Sequence, residues 1–376
     1  MVYLPRGPLA VGRFFPVKHM PTLNVVVLYG GKSTEHEVSV HSAQTVCELL
    51  ASQPQRYRVY PVFIDKQGYW FLQEKCGEKS AADKPISPIL APGVHLRALD
   101  GSWQVKADVF FPVLHGTNCE DGTMQGLLET LDVPYVGCGV LASAMGMNKL
   151  VSKQMARDAG VPVLPCQVVR RAETYDKQAL VTWVQEQGYP VFVKPVSLGS
   201  SVGVRKVTTA QELHAAVDFA LQFDDEVMIE KGVDHAREIF CALYGTGADV
   251  KSSACGELRN VAGEFFDYNA KYVVAGGCET KVPADLPPQT AARMRQDSEV
   301  IFRALHGCGL ARVDFLMDEK GAYYFSEINT LPGMSHTSLY PQLFEACGES
   351  YPRLLDGLIE LARTVWERKR ALSLSR

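Results

Sequence analysis

The chain lacks every cysteine pattern that would organise it around sulfur. Its 10 cysteines include no CxxC pair and no zinc-type spacing. No secretory segment precedes them, so buried, reduced thiols are favoured over a disulfide framework, and a structural metal held by sulfur is excluded. Long hydrophobic runs are also missing: stretches such as LNVVVLYG are far too short to cross a bilayer. Neither sign of charge dominates. A net charge of −4 gives no general electrostatic reason to expect nucleic acid or an anionic membrane as partner, which points instead to a small molecule. No internal repeat or low-complexity tract is evident.

What is present is material for a large core. With 376 residues, 47% hydrophobic and 21% charged, the chain should divide into two or three domains. Residues 1–20, MVYLPRGPLAVGRFFPVKHM, are broken by proline and basic residues where a signal peptide needs an apolar centre. They read as an extension: either a flexible segment, or one that precedes a true start at Met20.

From Leu23 the sequence alternates strand and helix through LNVVVLYGG, VSVHSAQTVCELLA, YRVYPVFID and, after a less regular stretch, ADVFFPVLHG. This βαβ pattern predicts an α/β block with a mainly parallel sheet over residues 21–140. A second block, 141–232, opens on a helix in which Met147, Leu150, Val151, Met155 and Ala159 share a face, ended by Gly160. The strands YPVFVKPV, SVGVRKV and VMIEKGV follow, around the helix AQELHAAVDFALQ. The third block, 233–376, is rich in β-sequence and closes on the helix ESYPRLLDGLIELARTVWERKR. Within it, GEFFDYNAKYVVAGGCETKVPADLPP is punctuated by Gly and Pro yet aromatic and charged, which predicts a mobile functional loop.

Residues 311–333, ARVDFLMDEKGAYYFSEINTLPG, read as two apolar strands joined by a polar turn, with Arg312, Asp314, Glu327 and Asn329 planted in them. Residues two apart on a strand share a face, so Arg312 pairs in direction with Asp314, and Glu327 with Asn329. Two carboxylates and an amide form a hard-oxygen site suited to magnesium; the plainer reading is a salt bridge from Arg312 to one acid. KPVSLGSSVGV offers a lysine, Lys194, and a Gly/Ser loop whose N–H groups and hydroxyls can approach phosphate, although such loops are more often simple turns. Lysines 149, 194 and 271 have the same plain alternative, a solvated surface.

Three motif matches fail on context. GGKST imitates the end of a Walker A loop, but Val26 replaces the required glycine. GCGVLA fits G-x-G-x-x-A before a helix without a ribose-binding acid further on. GSSVG centres Ser201 in G-x-S-x-G, yet the following VGVRKV alternates like a strand where a nucleophile elbow must enter a helix. A serine hydrolase is therefore the remote alternative.

Taken in order, GGKSTEHEVS, HGTNCEDGTMQG, KPVSLGSSVG, IEKGV, DYNAKY, GLARVDF and EINTLPGMSHTSLYP resemble the D-alanine–D-alanine ligase family of the ATP-grasp superfamily, from about Leu23 to the terminal helix. The resemblance implies three domains, two of them enclosing ATP, and a bacterial cytoplasmic homodimer that makes the D-alanyl-D-alanine of peptidoglycan. It implies that Lys149 and Lys194 contact ATP phosphates, with Ser201 of the same loop on the nucleotide. Glu230, Lys231, Val233 and Glu238 should hold adenine and ribose, and Lys271 should reach the γ-phosphate. Asp314, Glu327 and Asn329 should bind two magnesium ions, or manganese in their place. Glu35 matches the position that receives the first D-alanine's ammonium, with His115 nearby and with Ser200 and Tyr272 linked to Glu35. Arg312 and the Gly333 N–H match the groups that stabilise the tetrahedral intermediate, and Ser338 the receiver of the second carboxylate. Tyr272 favours dipeptide over D-alanine–D-lactate products.

Two departures stand out. Cys119 occupies a position that is usually glycine, where a positive φ would strain a β-carbon. Asn148 replaces an aspartate that commonly precedes Lys149.

Overall fold

The computed structural model describes residues 21–260 and 278–373. The proposed extension 1–20 and most of the predicted loop, with Lys271 and Tyr272, lie outside the described residues.

The first sheet grows around β1 (Leu23–Gly30), whose Val25 to Tyr29 are completely buried, as a continuous apolar run demands of a strand covered on both faces. β2 (Tyr57–Ile64) and β7 (Val109–Leu114) flank it in parallel, and α1 (His36–Ala51) crosses over with Val40, Ala43, Val46, Cys47 and Leu50 turned inward. The parallel arrangement stops there. β3 (Trp70–Leu72), β4 (Lys84–Ala91), β5 (Val94–Ala98) and β6 (Gln104–Val105) follow β2 antiparallel, so the seven-stranded sheet, in the order β6-β5-β4-β3-β2-β1-β7, is mixed, not mainly parallel. The cause is connection length. Asp65 accepts main-chain bonds from Gln67 and Tyr69, and the Asp65–Gly68 turn is too short for the crossover that a parallel neighbour requires.

After α2 (Thr123–Thr130) and α3 (Val140–Met147) comes α4 (Lys149–Asp158). Its buried face is Ser152, Lys153 and Ala156, while Val151 and Ala159 are exposed and Met147 belongs to α3, so the apolar stripe read from the sequence is displaced. Asn148 caps α4, accepting the N–H groups of Leu150 and Val151 at 3.1 and 3.0 Å. The second sheet, β10-β9-β11-β8, is antiparallel and comprises β8 (Cys166–Arg170), β9 (Val191–Pro195), β10 (Arg205–Val207) and β11 (Glu226–Lys231). It packs against α5 (Lys177–Gln187) and α6 (Ala210–Ala220) through Val184, Val193, Leu213 and Val217.

The third sheet, β14-β13-β12-β15-β16, is also antiparallel. It contains β12 (Arg237–Thr246), β13 (Asp249–Asn260), β14 (Cys278–Lys281), β15 (Cys308–Met317) and β16 (Tyr323–Asn329). α7 (Pro288–Ala304) covers one face together with Ala142 and Ala156 of α3 and α4. α8 (Leu339–Glu345) and α9 (Tyr351–Arg370) fill the other, and Leu354, Leu355, Leu358 and Ile359 of α9 share one core with α1, β1 and β12. Each such buried aliphatic side chain contributes about 1.5–3 kcal/mol, so α9 welds the first sheet to the third.

Candidate active site

β15 and β16 form the predicted hairpin. Arg312 lies opposite Asn329 and Asp314 opposite Glu327, and the register slips immediately after Asp314, so a bulge sits beside the acids. Bulges of this kind re-aim side chains next to functional sites. The turn is closed by Asp318, whose Oδ1 accepts Lys320 and Ala322 N–H groups at 2.9 and 2.8 Å.

Arg312 grips Asp314 through two hydrogen bonds of 2.7 Å, so the plain salt bridge exists alongside the oxygen cluster. Burial pushes the Asp314 carboxyl up to about 6 against the pull of Arg312, and the charge of Glu327 adds to the rise. Glu327 also meets the Lys149 ammonium at 3.2 Å. Two carboxylates at facing positions and the Asn329 amide oxygen, which accepts the Leu331 N–H at 3.1 Å, make an oxygen-only donor set that fits a hard divalent cation, with Arg312 and Lys149 as its present counter-charges.

Opposite this hairpin stands the Gly/Ser loop. Lys149 donates to the Leu198 carbonyl at 2.6 Å, and Lys194 to Glu230 Oε2 at 2.7 Å. Ser200 and Ser201 have φ of 51° and 57°, and the chain then enters β10 instead of a helix, so no nucleophile elbow forms. Two nucleotide candidates turn out to have committed side chains. Glu230 is buried against Lys153 and Lys194, and Lys231 donates to the Gly188 carbonyl at 2.9 Å. The Lys231 N–H is also committed, donating to the Pro165 carbonyl at 3.0 Å, and Val233 and Glu238 follow along the cavity wall.

Glu35 precedes α1 and accepts a short hydrogen bond from the Ser200 hydroxyl, joining the first block to the loop. Burial raises its carboxyl, and the charge of Glu120 raises it further. Gly116 makes room for it: at φ 75°, a β-carbon there would stand 2.6 Å from Glu35 Oε2 and 2.4 Å from Ser33 Oγ. His115 Nδ1 donates to the Leu331 carbonyl at 2.8 Å and lies 3.7 Å from Glu120 Oε1. Its Nε2 is 3.3 Å from Ser42 Oγ, which accepts the Met334 N–H at 3.1 Å. Ser42 thus ties the loop after β16 to α1, and Glu120 pairs with the His115 that holds the same loop. Sequence reading missed both: Glu120 lay inside a quoted motif, whereas nothing local marked Ser42.

The Ser338 hydroxyl accepts the Ser335 N–H at 3.0 Å, and a β-carbon on Gly333 would meet it at 2.9 Å. The feared strain at Cys119 does not arise, because the positive φ, 65°, falls on Asn118. All the described candidates, from Glu35 through Lys149, Lys194, Ser201 and Glu230 to Arg312, Asp314 and Ser338, line one cavity of about 1780 Å³.

Comparisons with known proteins identify the family. Residues 24–138 match the family model "D-ala D-ala ligase N-terminus" and residues 155–360 match "D-ala D-ala ligase C-terminus". The chain is 42% identical over 353 residues to the D-alanine–D-alanine ligase of Thermoanaerobacter pseudethanolicus, covering 91% of this chain and 97% of that one. It is 44% identical over 357 residues to D-alanine–D-alanine ligase A of Bradyrhizobium diazoefficiens, covering 90% and 95%. The solved D-alanine–D-alanine ligase of Coxiella burnetii superposes with a TM-score of 0.83 at 33% identity, over 93% of this chain and 97% of that chain. The chain therefore belongs to the D-alanine–D-alanine ligase family, ATP-dependent ligases with the ATP-grasp fold.

Proposed function

We propose that the chain joins two D-alanine molecules through an acylphosphate, releasing ADP and phosphate, and that the cavity residues divide the work as their neighbours dictate. The observation that carries this reading is the meeting, across one cavity, of the hairpin acids with Lys149, Lys194 and the Ser200–Glu35 link.

The first step brings the carboxylate of one D-alanine to the γ-phosphorus of ATP. Two unit negative charges at 4 Å repel by about 4 kcal/mol at an effective dielectric near 20. At about 1.4 kcal/mol per tenfold, that alone would slow attack roughly a thousandfold. In this reading Lys149 and Lys194 offset it. Asp314, Glu327 and Asn329 would hold two magnesium ions, with manganese as substitute; bound there, the cations neutralise phosphate charge. Glu35 takes the ammonium of the first D-alanine, with His115 behind it and Ser200 orienting it.

The amine of the second D-alanine, its carboxylate received by Ser338, then attacks the acyl carbon. The oxyanion that develops is stabilised by Arg312 and the Gly333 N–H until phosphate leaves. An acylphosphate must be kept from water; Lys271, read as a γ-phosphate contact, and Tyr272, read as a partner of Glu35, lie outside the described residues. The same reading includes domains at 21–140, 141–232 and 233–376, a homodimer, and work in the cytoplasm on peptidoglycan precursors. No helix among the described residues is long and apolar enough to cross a membrane.

Coupled ADP release with D-alanine, L-alanine, D-serine and D-lactate tests the reading. Turnover should require ATP, D-alanine and magnesium together, stop on chelation, and resume when the metal is restored. D-serine is included because a structural neighbour at 32% identity, VanG of Enterococcus faecalis, is a D-Ala:D-Ser ligase. Preference for D-serine or D-lactate as second substrate would overturn the dipeptide assignment, and ester hydrolysis without ATP would overturn the ligase reading.

A further inference from the structure

Lys153 is 1% exposed and does not line the cavity, yet it touches both walls. It stands one helical turn after Lys149 on α4, so the two side chains leave the same face of the helix. Lys149 joins Leu198 of the Gly/Ser loop to Glu327 of β16. Lys153 does the same one turn deeper: its ammonium donates to the Phe325 carbonyl of β16 at 3.0 Å and lies 2.5 Å from Glu230 Oε1 on β11. The other oxygen of Glu230 is taken by Lys194 at 2.7 Å.

Three ionisable groups thus meet at the cavity wall, two lysines and one glutamate. The Lys153 and Glu230 side chains are 2% and 1% exposed, while that of Lys194 is 15% exposed and opens on the cavity. Burial raises the Glu230 carboxyl, but Lys153 and Lys194 outweigh it and hold the group below the usual carboxylate range, while burial and the Lys194 charge lower the Lys153 ammonium against the pull of Glu230. Were Glu230 to face Lys194 alone, the two would form a neutral pair and the cavity would meet no net charge there. Lysine is almost never fully buried without a partner, and here the pairing leaves one positive charge in surplus on the cavity side.

We propose that Lys153 is a positioning residue for nucleotide binding: by pairing its charge with one oxygen of Glu230 it leaves the charge of Lys194 uncancelled for the phosphates of ATP. This rests on the reading of Lys194 as a phosphate contact.

The test is steady-state ADP release with ATP varied at saturating D-alanine, alongside thermal melts, on the full chain and four variants. Lys194→Met sets the size of the effect. Lys153→Met should raise KM for ATP roughly tenfold or more while kcat at saturating ATP stays within roughly threefold, the mark of lost binding rather than lost chemistry. Lys153→Arg should keep KM near that of the unaltered chain. Lys153→Met/Glu230→Gln removes one charge of each sign, leaves Lys194 uncancelled, and should bring KM back to within about threefold of the unaltered value. The double variant leaves no orphaned carboxylate, so it carries the test even where Lys153→Met fails to fold. A folded double variant as impaired as Lys194→Met, or an unchanged KM in Lys153→Met, overturns the inference. Unchanged KM in Lys194→Met removes its premise, whereas absence of ATP-dependent ligation in the unaltered chain removes the functional reading itself.

Discussion

Arg312 and Asp314, two residues apart on β15, are locked together by parallel hydrogen bonds of 2.7 Å from Nε to Oδ1 and from a terminal nitrogen to Oδ2. The group proposed to meet the oxyanion therefore also steadies a proposed metal ligand, so its removal should be felt at both.

Arg312→Ala should lower kcat by about 10²–10³, the usual loss for one preorganised oxyanion donor. The magnesium concentration at half-maximal rate should rise as well, because Asp314 loses the two hydrogen bonds that orient its carboxylate. ATP affinity measured by calorimetry should change little; a fall in ATP binding that accounts for all the lost turnover would contradict the oxyanion role.

His115 should lend the fold a stability that depends on pH. Burial opposes its charge, but the contact with Glu120, the charge of Glu35 and the Leu331 carbonyl outweigh burial and raise the imidazolium above its ordinary value. A raised histidine contributes fully below its unfolded value of about 6.5 and loses that contribution as pH climbs through the folded value. His115→Gln should therefore lower the melting temperature more at about pH 6 than at about pH 9, with a low-pH cost of about 1.5–3 kcal/mol. An equal loss at both pH values would refute it.

Asn148 supplies the cap that an aspartate would. Asn148→Ala should cost about 1 kcal/mol and raise KM for ATP, since Lys149 is the first residue of the helix it secures. Asn148→Asp should keep the cap and gain about 0.3–1 kcal/mol from the helix dipole. Urea midpoints of the three proteins rank them, and an unaffected Asn148→Ala would deny the cap any weight.

Restoring glycine at Cys119 should not help. The strained conformation belongs to Asn118, and the buried Cys119 side chain fills space beside Gly31. Cys119→Gly should lower stability by about 1 kcal/mol or more with activity kept. Burial also pushes the Cys119 thiol far above its ordinary range, so native protein treated with iodoacetamide should be modified at exposed Cys347 well before Cys119. Faster labelling at Cys119 would show that its pocket opens.

Much of this was legible along the chain because it repeats at short range. The period of two placed Arg312 with Asp314 and Glu327 with Asn329, and the turn at Asp318–Gly321 dictated that those pairs meet across a hairpin. The antiparallel arm of the first sheet was not read, because β3 and β6 are very short and β4 contains Pro85 and Pro88 and lacks clean alternation. The helix α4 was found but its inward face was misplaced, since an apolar stripe is the ordinary mark of burial and here the buried face carries a lysine.

By itself, the sequence determined the family, the order of the motifs and the local geometry of each. Those depend on residue type and spacing within a few turns or one hairpin. Only the tertiary structure decided which charges are spent on one another: that Glu230 and Lys231 are committed, that Lys153 is sealed beneath Lys194, and that Ser42 braces His115. Partners so far apart in the chain leave no periodic trace, and a charge declares its purpose only when the group that neutralises it is brought alongside.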